Sequence, residues 1–279
     1  MKHFVKMIVA LGAAAILSSC GTGTRKAGEN DFHYLLDQFA DLKVMRFQVP
    51  GWDDLTLRQK EYVYHLSEAA KYGRDITWDQ YCKWNLPIRH VVEDILNNYE
   101  GDRECPEFQD FIVYAKRLFF SNGIHHHYAE DKFFPDCPKE YFKSLIEAVG
   151  DKEGADTLLA VVYSPDIYPQ RRSTSSDGDI VELSAVNFYD GVTRKDVEDY
   201  YAGIVDPADP TPVSYGLNTK VVKEDGKVVE KPWKIDGIYD SAIRKIVGEL
   251  ELAREGRTVL HCGSLSYRLL ERGSRLQLQ

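Results

Sequence analysis

The sequence predicts an α+β protein that is mostly helical and has a small antiparallel β component. Apolar residues recur at three- and four-residue spacing in about seven segments, which is the period of a helix with one buried face. Two β-branched stretches between Lys220 and Lys231 flank Asp225-Gly226, a pair typical of the tight turn in a β-hairpin. The hydrophobic fraction of 43% and the charged fraction of 28% are ordinary for a globular protein, and 279 residues are enough to bury a core.

The first elements are predicted from apolar spacing and from one capping pattern. Apolar residues from Phe32 to Leu42 have mixed three- and four-residue spacing, which predicts a short helix. Val44–Val49 alternates between apolar and polar residues like a strand. Thr56 and Gln59 have the spacing of a capping box, so a helix is predicted from Leu57 to Tyr72.

Two more helices are predicted to begin at Asn85 and Pro106. Asn85 is interpreted as a helix N-cap, with Pro87 in the first turn. The helix that begins at Pro106 has an apolar stripe from Phe108 to Phe119, and this period predicts a core face rather than a cofactor site.

The second half of the chain predicts further helices and one strand. Three helices are expected, from Pro138 to Val149, from Thr193 to Gly203, and from Asp240 or Ser241 onward. Arg171–Asp179 is polar and contains Gly and Ser, which predicts an exposed loop, and Ile180–Tyr189 is predicted as a strand. The pattern leaves the state of Leu158–Tyr163 open.

The first thirty residues have the pattern of an export signal and a tether. A basic start and the apolar run Met7–Leu17 precede Leu17-Ser18-Ser19-Cys20-Gly21, which resembles the lipobox of bacterial lipoproteins. The resemblance implies a signal peptide over residues 1–20, a lipidated Cys20, and a flexible tether over residues 21–30. The protein would then be anchored by lipid in the bacterial cell envelope, facing the periplasm or the exterior. The alternative is an ordinary secretory signal with an incidental cysteine.

The net charge bears on the class of partner, and the cysteine spacing bears on metal sites and disulfides. The net charge of -9 with no long basic stripe excludes nucleic acid as the main partner. Cys82, Cys105, Cys137 and Cys262 form no CxxC pair and define neither a zinc ribbon nor a disulfide framework. They are interpreted as buried or surface thiols.

A histidine-rich loop within Ser121–Pro135 is the main candidate site. The residues predicted to line a cleft there are Asn122, His125, His126, His127 and Tyr128. In an extended segment His125 and His127 would share one side and His126 the other. Two imidazoles with Glu130 or Asp131 could hold zinc, or the loop could line a cleft without metal, or it could be a surface loop with no special role.

Neither the histidine loop nor any other stretch identifies a reaction. The sequence contains no His-Glu-x-x-His helix, no nucleophile elbow and no glycine-rich phosphate loop. No catalytic residue is therefore predicted from the residues alone.

Several stretches in order resemble one family of peptidases. They are Arg117–Gly123 with the histidine loop, Lys132–Pro135, Val213–Gly226 and Glu230–Lys234. Together they resemble the amino-terminal part of the dipeptidyl peptidase III family of zinc exopeptidases, in its bacterial lipoprotein-type branch. The resemblance makes residues 31–259 a lower-lobe region.

The resemblance implies a two-lobed zinc peptidase that removes dipeptides from peptide amino ends, with this chain as an incomplete lower lobe. In the family, zinc is held by a His-Glu-x-x-Gly-His helix and a further Glu. That motif is absent here, so no catalytic, metal-binding or cofactor-binding residue is carried over and no zinc is expected in this chain. Short peptides are the expected partners, and the chain alone is expected to be inactive. The alternative function is a lipid-anchored lobe that binds peptides without cleaving them.

The last stretch differs in composition from the rest. Residues 260–279 are rich in Arg, Ser, Leu and Gly and have no clean cap or sustained apolar face. They are interpreted as an atypical tail from a truncated or frame-shifted longer chain, with an ordinary C-terminal helix as the alternative.

Overall fold

A computed structural model describes residues 32–150, 154–208 and 219–255. The predicted signal peptide with Cys20, the tether, Val213–Asn218 and the 260–279 tail lie outside these ranges. Contacts divide the chain into two compact units, one of Met1–Asp37 with Lys43–Phe47 and one of Gln38–Leu42 with Gln48–Gln279. Within the described ranges, no helix has both the length and the apolar character needed to cross a membrane.

The described part of the chain starts with a β-hairpin where a short helix was predicted. Strands β1 (Leu35–Phe39) and β2 (Leu42–Met45) form a two-stranded sheet. Ala40 adopts a left-handed φ of 47°, which reverses the chain between them. The helix prediction was wrong because, after the reversal, the backbone groups of the segment bond across the hairpin. The predicted strand at Val44 belongs to β2, which begins and ends earlier than the sequence pattern.

Nine helices occur in the described ranges. They are α1 (Leu57–Tyr72), α2 (Arg74–Tyr81), α3 (Asn85–Asn98), α4 (Pro106–Ser121), α5 (Lys139–Ala148), α6 (Ala155–Tyr163), α7 (Ile180–Leu183), α8 (Arg194–Ala202) and α9 (Asp240–Glu255). The segment that the sequence left open, Leu158–Tyr163, is therefore helical and belongs to α6.

A second sheet contains three strands, β3 (Tyr189–Asp190), β4 (Thr219–Glu224) and β5 (Lys227–Pro232). The predicted hairpin is confirmed, because β4 and β5 are antiparallel and Glu224 pairs with Lys227 across the two turn residues. Those residues, Asp225 and Gly226, have φ of 49° and 76°, as this tight turn requires. β3 is parallel to β4, a pairing that the two-residue strand could not signal in the sequence. The α+β prediction is confirmed.

The capping signals at Thr56 and Thr193 were predicted correctly. The Thr56 hydroxyl accepts a hydrogen bond from the Gln59 backbone N–H, and the Gln59 side chain accepts one from the Thr56 N–H, which completes the capping box of α1. Thr193 and Asp196 form the same reciprocal pair at the start of α8. These motifs depend on residues three positions apart, so the sequence alone defines them.

The predicted strand Ile180–Tyr189 was wrong. An Asp179 carboxylate oxygen accepts the Val181 N–H at 2.8 Å and caps the short helix α7, which ends at Leu183. Only Tyr189 of the predicted strand lies in a strand, β3. The cap satisfies a backbone donor at the start of the segment, which favours a helical turn over an extended chain.

The core lies among α3, α4, α5 and α6. Its largest fully buried side chains include Tyr114, Phe108, Phe111 and Phe142, and Phe111 and Phe142 meet edge to face with ring centroids 5.1 Å apart. Phe108, Phe111, Ala115 and Leu118 are all buried, so the predicted core face of α4 is confirmed. Each large apolar side chain buried here contributes about 1.5–3 kcal/mol.

Candidate functional site

The histidine loop, residues 122–134, follows α4 and reverses direction as an irregular hairpin. Asn122 ends α4 in a left-handed conformation with φ of 55°. The His126 N–H donates to the Asp131 carbonyl at 2.8 Å, and the Phe133 N–H donates to the Ile124 carbonyl at 3.2 Å. The two arms of the loop are therefore paired, and its apex lies at residues 127–129.

The first arm of the loop is fixed by Asn85, which is fully buried. The Asn85 amide nitrogen donates to the Trp78 carbonyl at 3.0 Å, and its oxygen accepts the Ile124 N–H at 3.1 Å. Gly123, with φ of 148°, passes so close that an added Cβ would lie 2.1 Å from the Asn85 amide nitrogen. Only glycine fits this approach, because the contact is tighter than any Cβ tolerates.

The prediction that Asn85 is an N-cap was wrong. Trp84 occupies the cap position without a side-chain hydrogen bond, and Asn85 is the first residue of α3. The polar side chain that suggested a cap is used instead to bind the histidine loop. No pattern near Asn85 in the sequence indicates this role, since its partner Ile124 is 39 residues away.

The second arm of the loop is fixed by the buried ammonium group of Lys132. Its Nζ donates to the carbonyl oxygens of Ser164 at 2.7 Å, Ile167 at 2.8 Å and Val161. Burial lowers the pKa of Lys132 to about 8, while the three oxygens favour the charged form, so the side chain is a cation at neutral pH. A cation at the carboxyl end of α6 also interacts favourably with the helix dipole.

Glu130 connects the loop to the segment that contains Arg171 and Arg172. The Arg172 Nε donates to Glu130 Oε2 at 2.8 Å, and Arg171 also binds this carboxylate. Hydrogen bonds from Arg172 and Arg171 lower the pKa of Glu130 to about 2. Arg171 is buried and its guanidinium lies 4.2 Å from the centre of the Tyr81 ring, although the sequence predicted an exposed loop from this residue onward.

His125 points into the protein and is 2% exposed. Its Nε2 donates to the Tyr168 carbonyl at 2.9 Å, because a carbonyl oxygen can only accept. Burial lowers the pKa of His125 to about 4, so the ring is neutral at physiological pH. His125 was predicted to line a cleft, and the structure places it in the interior instead.

His126 and His127 lie together near the surface. Their ring centroids are 4.4 Å apart, and the His127 ring meets Phe120 edge to face at 4.9 Å. The expected alternation, with His127 beside His125, was wrong because the chain turns at residues 127–129 and is not extended there. His126 Nε2 lies 3.4 Å from Asp41 Oδ2, which belongs to the hairpin tip, Gln38–Leu42.

The remaining predicted residues differ in exposure. Tyr128 is 87% exposed at the apex, and Asn122 is half-buried at the end of α4. An accessible surface is therefore formed by His127 and Tyr128, with His126 partly exposed behind them. Sequence analysis missed Asp41, which lies more than eighty residues before the loop and carried no pattern that linked the two.

The two carboxylates of the zinc alternative are engaged by other side chains. Glu130 is bound by two arginines, and Asp131 Oδ1 accepts the Gln170 amide at 3.3 Å. Across residues 32–150, 154–208 and 219–255, no three or more His, Cys, Asp or Glu side chains are grouped to hold a metal ion.

Three cysteines lie in the described ranges, and each is a free thiol. Cys82 and Cys137 are buried and Cys105 is partly exposed, as the sequence interpretation expected. Burial raises the pKa of Cys82 to about 11, so this thiol is not a nucleophile at neutral pH. Cys20 and Cys262 lie outside the described residues.

A second set of contacts surrounds Trp233, in the stretch Glu230–Lys234. The Trp233 ring stacks on Phe188 with centroids 6.2 Å apart and meets Tyr239 edge to face at 5.5 Å. The Tyr239 hydroxyl donates to Asp79, which also accepts the Asn187 amide at 3.1 Å. This cluster joins α2 to the segments before β3 and after β5, so Trp233 belongs to the framework.

Comparison with known proteins gave no relative: neither a protein-family model nor a curated protein matches the chain.

Replacing Lys132 with Met is expected to destabilise the protein by about 3 kcal/mol, because three buried carbonyls lose their donor while the stem is kept. Urea unfolding monitored by circular dichroism measures the loss. Lys143→Met is the matched control, since Lys143 pairs with Asp156 at the surface and its removal should leave the midpoint unchanged. Equal midpoints for Lys132→Met and the wild type would contradict the role of Lys132.

His125 is expected to make the fold less stable in mild acid. Its folded pKa of about 4 lies below the ordinary 6.5, so its stabilising contribution is complete above pH 6.5 and is lost as pH falls toward 4. The total loss is about 3 kcal/mol at most, from 1.36 kcal/mol per pKa unit. Urea unfolding of wild type and His125→Gln at several pH values tests this.

The His125→Gln protein should have a flatter dependence of stability on pH than the wild type in that window. Glu130 affects stability only at lower pH, because its stabilising contribution is lost as pH falls from 4.5 toward about 2. His90→Gln, at an exposed position of α3, is the control and should keep the wild-type dependence. If His125→Gln also keeps it, the burial of a neutral His125 is not its cause.

Proposed function

We propose that residues 31–259 are the amino-terminal part of the peptide-binding lobe of a dipeptidyl peptidase III-like zinc exopeptidase. The proposal includes anchoring in the bacterial cell envelope through a lipidated Cys20. The observation that carries it is the order and length of the resembling stretches, from Arg117–Gly123 through the histidine loop to Glu230–Lys234.

The positions of these stretches in the fold support the proposal. Resemblance through exposed residues alone would be weak, because surface positions tolerate many residue types. Here the resembling residues include Gly123, Lys132 and Phe133, which are buried or closely packed, and Trp233, which joins three segments. Glu230 also accepts hydrogen bonds from the hydroxyls of Tyr201 at 3.2 Å and Thr219 at 2.5 Å.

Within this proposal the chain contributes binding rather than chemistry. In the family, zinc activates the attacking water, and His-Glu-x-x-Gly-His supplies its ligands and the general base. That motif is absent from the 279 residues, and the described side chains do not form a metal site. No step of hydrolysis is assigned to these residues, and the surface formed by His127 and Tyr128 is assigned to contact with short peptides.

The purified chain is expected to release no product from an arginyl-arginyl reporter and to hold no stoichiometric zinc. The reason is that no residue of the zinc-binding motif is present in it. Reporter hydrolysis with and without added zinc, together with metal analysis, makes the measurement, and a full-length member of the family is the positive control. Zinc-dependent turnover by the chain itself would overturn this assignment of roles.

The alternative function is a lipid-anchored lobe that captures peptides without cleaving them. Tyr128 at 87% exposure beside the exposed His127, in a chain with 12% aromatic residues, favours peptide contact on either proposal. An exposed ring held on a fixed loop provides contact area at low entropic cost. The two proposals differ in whether a zinc-binding lobe completes the site.

Calorimetric titration with tri- to pentapeptides is expected to show binding that Tyr128→Ala weakens about tenfold, since exposed aromatic anchors contribute much of the energy of such surfaces. Tyr64→Ala is the matched control, because Tyr64 is 58% exposed on α1 and its ring also lies beside a histidine, at 5.2 Å. Equal affinity for both variants would remove the loop from the binding surface. Absence of heat at millimolar peptide would count against capture by this chain on either proposal.

A further inference from the structure

His126 holds the apex of the histidine loop through a single ring nitrogen. The backbone N–H groups of Tyr128 and Ala129 donate to His126 Nδ1 at 3.2 Å and 3.0 Å. A nitrogen that accepts hydrogen bonds must carry a lone pair, so Nδ1 is unprotonated and the ring proton lies on Nε2. The fold of the apex therefore requires a neutral His126 in one tautomer.

The groups that face His126 come from three elements. Asp41 of the hairpin tip lies 3.4 Å from Nε2, and Arg117 of α4 lies 3.7 Å from the other oxygen of the same carboxylate. The third group is His127, whose ring centroid is 4.4 Å away. His127 in turn is affected by the charges of Asp41 and of Arg171 from the neighbouring segment.

We propose that the histidine loop is an acid-sensitive latch, in which protonation of His126 at Nδ1 breaks the 126–129 turn and releases the apex from the hairpin tip. A proton on Nδ1 would point at the N–H groups of Tyr128 and Ala129. All three groups would then be donors with no acceptor among them. The two amide bonds to Nδ1 must then break, which leaves the Glu130 N–H donating to the His126 carbonyl at 3.0 Å as the backbone bond of the turn, and His127 and Tyr128 change position.

The ion pair that a charged His126 would form with Asp41 is weaker than the two amide hydrogen bonds that protonation removes. A charged His126 would gain attraction to Asp41, but this carboxylate is 59% exposed and such pairs contribute about 0–1 kcal/mol. Protonation removes the acceptor of two amide hydrogen bonds, each contributing about 1 kcal/mol, and leaves their donors facing a cation. Arg117 and a protonated His127 add repulsion. Burial and the neighbouring His126 lower the pKa of His127, so the two rings do not take up protons independently.

Opening of the latch would alter a surface formed by aromatic and imidazole side chains. Phe39 of the hairpin tip meets Phe120 with centroids 6.4 Å apart, and Phe120 contacts the His127 ring at 4.9 Å. The hairpin tip and the apex are thus joined by ring contacts as well as by Asp41. The latch is independent of the peptidase relationship, because it depends only on contacts within this chain.

Amide hydrogen exchange of the full chain tests the latch. The protection factors of the Tyr128 and Ala129 amides, corrected for the intrinsic effect of pH, are expected to fall at least about tenfold between about pH 7 and pH 5. The Leu118 amide in α4 should stay protected, which separates opening of the loop from acid unfolding. Unchanged protection of the apex amides would overturn the proposal.

Two variants identify the ring responsible. His126→Asn keeps a side-chain oxygen that can accept a backbone N–H and does not titrate, so its apex protection is expected to be independent of pH. His127→Asn leaves the His126 acceptor intact and should keep the dependence. If His126→Asn still loses protection in acid, His126 is not the switch.

The nitrogen chemical shifts of the His126 ring provide a measurement without mutation. They should show a proton on Nε2 alone at neutral pH and on both nitrogens once protection is lost. A proton on Nδ1 at neutral pH would also overturn the proposal.

Discussion

Three backbone carbonyls surround the Lys132 ammonium group, and the position of the histidine loop depends on this contact. Removing a lysine from water is costly, so it persists only where each ammonium proton finds an acceptor. Here the acceptors are carbonyls at and just beyond the end of α6, which no longer have helical partners. The Lys132 side chain donates to the carbonyls at the end of α6 and fixes the loop in the same contact. The loop therefore cannot shift without leaving the ammonium group and these carbonyls exposed or without hydrogen-bond partners.

Asn85 fixes the first arm of the loop, as Lys132 fixes the second. The loop therefore has a fixed base and an apex whose contacts depend on protonation. His125 lies between these anchors and stays neutral because it is buried. Beyond them, the apex is held by the Nδ1 atom of His126, by the Glu130 N–H, which donates to the His126 carbonyl at 3.0 Å, and by surface contacts. The energetic difference between base and apex explains how one tripeptide can contain a structural histidine and a titratable one. Residue type does not distinguish the two roles, whereas burial and hydrogen-bond partners do.

Sequence analysis succeeded where the decisive contacts are local. The Thr56–Gln59 capping box, the cap at Thr193 and the Asp225-Gly226 turn depend on residues at most three apart, and these were predicted. The hairpin β1–β2 was missed because cross-strand pairing overrides a weak helical spacing, and Asn85 was misinterpreted because its partners lie far along the chain. The alternation expected for the three histidines failed for a physical reason: His126 accepts two amides just after it, which bends the chain that alternation assumes to be extended.

Two of the stretches that resemble a peptidase, the histidine loop and Glu230–Lys234, perform different tasks in this fold, and the difference bears on the proposed function. Trp233 packs against Phe188 and Tyr239, and the Tyr239 hydroxyl donates to Asp79, which are contacts that a rigid lobe needs. The histidine loop instead presents Tyr128 outward on anchored arms, which lowers the entropic cost of binding because the arms are ordered beforehand. A lobe that binds peptides requires both a stiff frame and a preorganised contact. Under the proposed latch, acid would act on the preorganisation of this contact, because the apex amides donate to His126 Nδ1.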